Sequence, residues 1–233
     1  MQGPLAKMKS SLGEPVSYRL PLGDEALDLA PVVGATLTLR FDGEIRCANC
    51  GRLTKKSYSQ GHCFPCSQRL AACDLCIVRP ERCHFHEGTC REPDWGQANC
   101  MQPHYVYLSN TSGLKVGITR AGQIPTRWID QGATQALPIA QVTTRRVAGL
   151  VEVALAGHVA DKTDWRRMLR GAADPRDLQA EAARLLGACA GELDSIRERF
   201  GEDAVQLLPA ADAVAIDYPV LAYPDTIRSF NFD

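Results

Sequence analysis

Hydrophobic and polar positions change period several times along the chain. Residues 1–31 carry Pro and Gly and little periodicity. Ala35-Thr-Leu-Thr-Leu-Arg40 alternates with period two and predicts a strand. Asp42-Gly43 is a turn signal, and Glu44-Ile45-Arg46 predicts a returning strand leading into Cys47. Residues 41–103 hold few long apolar runs, too few to bury a core of their own. From His104 the pattern becomes regular. Residues 105–108 and 114–119 alternate around a loop at 109–113, which predicts a β-hairpin with two faces. Val106, Leu108, Val116 and Ile118 point one way; Tyr105, Tyr107, Lys115, Gly117 and Thr119 point the other. Pro125 opens and Gly132 closes a short helix bearing Arg127 and Trp128. Apolar residues at 147, 150, 151, 154 and 155 predict a helix over 147–160, and an acidic Ala/Leu-rich helix follows over 176–200. Ala213-Val-Ala-Ile216 reads as a short strand, and so does the stretch 229–233. The pattern gives an α+β protein in four parts: an N-terminal β segment (1–40), a Cys-rich module (41–103), a small sheet with flanking helices (104–171) and an acidic helical region (172–233).

Composition narrows the function classes. Hydrophobic residues make up 45% and charged residues 23% of 233, which excludes collagen-like, coiled-coil and fully disordered chains. No run of 18 apolar residues occurs, so no membrane span is expected. Residues 1–11 lack an apolar signal core, and a cytoplasmic location is expected. The net charge of −1 conceals an asymmetry: residues 101–171 carry nine Lys and Arg against four Asp and Glu, whereas 172–233 carry five against twelve. The basic segment invites a polyanion such as nucleic acid, and the acidic one does not.

Nine of the ten cysteines lie between Cys47 and Cys100, with Cys189 apart. An odd number of thiols in a chain without an export signal favours metal over disulfides. Cys47-x2-Cys50 and Cys63-x2-Cys66 form two thiolate knuckles, a spacing that completes a tetrahedron around zinc. A second zinc is expected on Cys73, Cys76, Cys83 and Cys90, with His86 or Cys100 as replacement ligands. A cross-braced pairing of the first and third knuckles, and iron–sulfur in place of zinc, remain alternatives on spacing alone. Closed thiolate sites are structural rather than catalytic, so two structural zinc ions are expected.

Tyr105-Val106-Tyr107, a loop, and Lys115-Val116-Gly117 together resemble the paired signature of the GIY-YIG nuclease superfamily. Arg127 on the following helix and Glu152 on the next long helix resemble that superfamily's arginine and metal-binding glutamate. The resemblance spans about 104–170. It departs at Tyr105, where the first motif opens with Gly, and at Lys115, where the second opens with Tyr. The whole chain also resembles an uncharacterised bacterial family that pairs such a module with a zinc-binding region. The resemblance implies a metal-dependent nuclease, or a nuclease-derived nucleic-acid-binding protein. Tyr107 would then be the base, Arg127 the phosphate clamp, Glu152 the ligand to Mg²⁺ or Mn²⁺, and Lys115 a group that lowers the phenol's pKa or holds a phosphate oxygen.

The residues themselves admit simpler roles. Tyr105 and Tyr107 can be strand aromatics, Arg127 a surface residue, and Trp95, Trp128 and Trp165 packing residues or base-stacking ones. His158 lies on the apolar stripe as a core residue, and Asp161, Asp164 and Arg166 follow as caps or as residues that support the site from behind. Glu152 is the only Asp, Glu, Lys or Arg between 147 and 160, so its carboxylate should be paired, metal-bound or at a cleft. The competing functional class is a non-catalytic, zinc-stabilised interaction or regulatory module.

Overall fold

The N-terminal forty residues fold differently from their hydrophobic pattern. In the computed structural model, which describes residues 1–159 and 164–229, three strands form an antiparallel sheet in the order β1 (Lys9–Ser11), β2 (Ser17–Leu22), β3 (Glu25–Asp28). The alternating stretch 35–40 forms no strand. Alternation supplies two faces but not a partner edge, and Leu37 and Leu39 remain exposed. The returning strand is present as β4 (Ile45–Arg46), but it pairs with β5 (Leu53–Thr54) across the first cysteine knuckle. Helix α1 (Phe64–Arg69) starts at Cys63 with Pro in its first turn, where a missing N–H costs nothing. Short 3-10 turns follow between Ala71 and Glu87, then α2 (Pro93–Cys100).

The main sheet is antiparallel, in the order β10 (Val214–Ala215), β8 (Gln135–Val142), β6 (His104–Asn110), β7 (Leu114–Arg120), with β9 (Val205–Leu207) also on β8. The hairpin has the predicted faces, because Tyr107 stands opposite Gly117, Ser109 opposite Lys115 and Leu108 opposite Val116. Between β7 and β8, helix α3 (Thr126–Asp130) runs to Gly132, whose φ of +67° suits glycine.

Each sheet face buries a different layer. Val106, Leu108, Val116 and Ile118 pack under α4 (Arg145–Ala156), joined by α6 (Leu178–Ala188) and α7 (Ala190–Phe200). Each such side chain, fully buried, contributes about 1.5–3 kcal/mol. Tyr107 on the opposite face packs with Trp128, Ile129, Val16 and Ile216, so the N-terminal sheet and the C-terminal strand cover it together. Helix α4 begins earlier than its apolar stripe because the Thr144 hydroxyl accepts from the Val147 N–H. It ends at Ala156, which leaves His158 exposed rather than in the core. The acidic helix is interrupted at Cys189, fully buried between α6 and α7. Asp164 caps α5 (Trp165–Arg170), whose Arg166, Arg167 and Arg170 are exposed; Asp161 and positions 230–233 lie outside the described residues.

Candidate functional site

The first thiol group is complete. The sulfurs of Cys47, Cys50, Cys63 and Cys66 all lie within 4.8 Å of one another, a group able to hold a metal ion. Cys50 and Cys63 are 3.8 Å apart, the edge expected for a tetrahedron with bonds of about 2.3 Å. The local fold prepares thiolates: the Cys63 N–H donates to Cys47 Sγ at 3.2 Å, and this bond, with N–H groups of Cys50 and Asn49, lowers Cys47 to about 5. Asn49 donates to Cys66 Sγ at 3.4 Å and lowers that thiol, but burial and the neighbouring thiols push it to about 11. The first knuckle therefore pairs with the second and not with the third. Cys73 stands beside this group, its sulfur 3.5 Å from His62 Nδ1.

A second thiol cluster lies deeper. Cys76, Cys83, Cys90 and Cys100 line one small cavity with Asp74 and His84. Thus Cys100 stands where Cys73 was expected, because α2 delivers its last residue to the cavity while Cys73 is held near His62. His86 is exposed and contacts Arg146. Hydrogen bonds from Cys100 and Cys76 pull the Cys83 thiol to about 2, and Cys83 in turn drives both partners upward, as does burial. Asp74, Cys76 and His84 form a further group close enough to share an ion. Yet Asp74 already accepts from Arg91 Nε at 2.7 Å and from the Cys76 N–H at 3.3 Å.

On the sheet, Tyr107 is fully buried and its hydroxyl donates to Gln131 Oε1 at 2.8 Å. Trp128 meets its ring edge-on at 6.0 Å. Burial raises the phenol to about 12; Arg127 opposes the rise and Glu152 adds to it. Exposed Arg127 and half-buried Glu152 thus each lie within electrostatic reach of Tyr107, although α4 covers the other face of the sheet. Lys115 is half-buried on the Tyr107 face. Gly117 does not open that face to a ligand. A Cβ there would lie 2.6 Å from the Tyr107 hydroxyl and ring, so the glycine makes room for the phenol itself.

Arg145 and Arg146 do not project as simple phosphate contacts. Arg145 donates to the Ile77 carbonyl at 2.7 Å, and Arg146 reaches His86 and the Phe200 ring. Exposed cationic surface lies elsewhere: on α5, and on the first cysteine hairpin with Arg52, Lys55 and Lys56. There Tyr58 and Phe64 are 47% and 54% exposed, their rings 5.3 Å apart edge-on, with Lys56 Nζ 5.1 Å from the Tyr58 ring.

A sequence profile described as "Protein of unknown function (DUF2797)" matches residues 34–233. The chain belongs to this family. Among curated proteins and among solved structures, nothing matches it. The DUF2797 span takes in both thiol clusters, the main sheet and α4, and leaves out β1–β3. It therefore includes every residue of the two candidate sites.

Sequence reasoning missed four participants within the DUF2797 span. Gln131, partner of the Tyr107 hydroxyl, carries no motif. Tyr58 and Phe64 flank Cys63 and are detectable only as aromatics among lysines. Gly149 stands within 2.3 Å, as built to a Cβ, of the Glu81 backbone nitrogen, and a small residue on a helix does not announce which backbone crosses it. No helix among the described residues is long and apolar enough to cross a membrane.

Proposed function

We propose that this protein binds nucleic acid, preferring single strands, through the cysteine hairpin, and that the GIY-YIG-like sheet serves as its scaffold. The reading rests on one observation: two neighbouring aromatic rings stand exposed on a metal-competent hairpin, one with a lysine ammonium over its face. Bases stack on such rings at about 1–3 kcal/mol each with little sequence preference, while lysines track the phosphates. Zinc held by Cys47, Cys50, Cys63 and Cys66 would fix the loop that carries Tyr58 and the helix start that carries Phe64, as a structural ion. The same hairpin lines an open groove with Phe41, Glu44, Leu53 and Lys55 among others.

Hydrolysis is the second reading, favoured by the influence of Arg127 and Glu152 on the Tyr107 phenol. In it Glu152 would hold Mg²⁺ or Mn²⁺, Arg127 would clamp the phosphate and Tyr107 would take a proton. Against it stands the phenol: a buried hydroxyl that donates to Gln131 and holds its proton to about 12 is a poor base near neutrality.

Fluorescence anisotropy on labelled single- and double-stranded DNA and RNA tests the proposal. Binding should favour single strands, weaken as salt rises, and fall by about 1–3 kcal/mol in Tyr58→Ala or Phe64→Ala. No binding to any of these at low salt would leave a zinc-stabilised interaction module. Cleavage of plasmid or RNA with Mg²⁺ or Mn²⁺, abolished by Glu152→Gln, would establish the hydrolytic reading instead.

A further inference from the structure

The segment between Cys73 and Cys100 is folded without the usual means. Its regular structure is a series of short 3-10 turns and one helix of eight residues. Cys76, Cys83 and Cys100 are buried at 9%, 7% and 4% exposure, yet none of them belongs to an apolar cluster among the described residues. Their side chains line one small cavity instead, together with that of Cys90. The fourth thiol is brought in by a glycine: a Cβ at Gly96 would lie 2.9 Å from Cys90 Sγ and 2.8 Å from the Phe85 ring. A helix that yields its surface to a sulfur has been shaped around that sulfur's position.

We infer that Cys76, Cys83, Cys90 and Cys100 hold a second tetrahedral zinc ion, and that this ion braces α4 through the turn between two of its ligands. Four thiols in a small enclosed cavity are the donor set and coordination number that zinc selects. Binding would expel the thiol protons, and it would supply the folding free energy that this segment lacks as apolar burial. Asp74 and His84 belong to the outer layer. The Asp74 carboxylate is occupied by Arg91 and the Cys76 N–H, and His84 Nδ1 is 2.7 Å from the Thr89 hydroxyl.

The brace follows from chain order. Cys76 and Cys83 flank the turn Pro80–Arg82, whose backbone presses on Gly149 in the middle of α4. Arg145, at the first position of α4, donates to the Ile77 carbonyl just past Cys76. An ion that fixes both ends of this turn fixes the surface on which α4 rests. The inference is independent of the nucleic-acid reading.

Elemental analysis of full-length protein purified without chelator provides the test. Wild type should carry two zinc ions per chain. Cys83→Ser and Cys100→Ser should each keep one, whereas Cys73→Ser and Asp74→Asn should keep two. A wild-type content of one, or two ions retained in Cys100→Ser, overturns the assignment, as does loss of an ion in Asp74→Asn. Unmodified protein gives a second readout that needs no variant to fold. During chelator titration with alkylation, Cys76, Cys83, Cys90 and Cys100 should become reactive together, while Cys73 reacts without chelator. Hydrogen-exchange protection over residues 147–151 should fall in that same step. Early alkylation of any of the four, or unchanged protection when they are released, counts against the site or against the brace respectively.

Discussion

Replacing Gly149 by alanine sets two magnitudes of opposite sign against each other. Helix propensity favours alanine by about 1 kcal/mol at an interior helical position. Packing opposes it. The added Cβ would lie 2.3 Å from the Glu81 nitrogen, 2.7 Å from the Pro80 carbonyl carbon and 2.8 Å from Pro80 Cβ, where ordinary contact begins at 3.4 Å. The turn or the helix must therefore move by about 1 Å. Two of the three atoms are backbone and cannot rotate aside, and the turn is tethered to α4 by the Arg145–Ile77 bond. Overpacking of this kind costs about 1–3 kcal/mol, and the rigid neighbours argue for the upper end. A net loss of about 2 kcal/mol lowers the melting temperature by about 4–8 °C for a chain of this size. Gly187→Ala is the control: also helical, it meets nothing within 4 Å, so propensity acts alone and the melting temperature should rise. Thermal and denaturant melts of both variants decide the matter. A Gly149→Ala protein at or above wild-type stability, with an unchanged denaturant slope, would refute the packing of α4 on the Pro80 turn.

Other outcomes follow from single groups. Tyr107→Phe leaves Gln131 Oε1 without its donor and should cost about 1 kcal/mol in a melt while leaving nucleic-acid affinity unchanged. Arg145→Ala removes a bond to a backbone carbonyl from a largely buried guanidinium and should destabilise by about 1–3 kcal/mol, a loss seen in the melt before any loss of binding. The His104 ring, fully buried with Nδ1 2.7 Å from the Gln102 carbonyl oxygen, is lowered to about 4 by burial. Its folded pKa lies below the unfolded value, so the unfolded chain binds the extra proton first. Stability is fully present above about pH 6.5 and falls by roughly 3 kcal/mol as pH drops toward 4. A His104 imidazole NMR signal, assigned by its loss in His104→Gln, that titrates near pH 6.5 in the folded protein would contradict this.

What could be read in advance was local. Tyr105–Leu108 and Leu114–Thr119 alternate cleanly, and the hairpin has the predicted faces, although its strand runs on to Asn110 and shortens the loop to 111–113. Pro125 and Gly132 bound α3 because each acts on its own backbone. The first four thiols were legible because knuckles spaced two residues apart converge whatever surrounds them. The second set was not, because five thiols compete and the decision rests on where α2 places Cys100. Likewise Ala35–Arg40 has the period of a strand and Ser17–Leu22 is one; pairing with β1 and β3 decided between them. Gly117 was noticed, but its cause lay across the strand in the Tyr107 ring.

These long-range choices link the two sites. Glu152 lies one turn along α4 from Gly149, and its charge raises the Tyr107 phenol although α4 packs on the other face of the sheet. The height of α4 above that sheet is set on one side by Val147, Val151 and Leu155 against Val106 and Leu108, and on another by the Pro80 turn at Gly149. The first support is apolar and nearly independent of conditions. The second hangs between Cys76 and Cys83, so a change at the thiol cluster can shift Glu152 through α4. A shift of Glu152 on release of the inferred second ion therefore requires no contact between the sites. It requires only that a rigid helix rest on two supports, one of them removable.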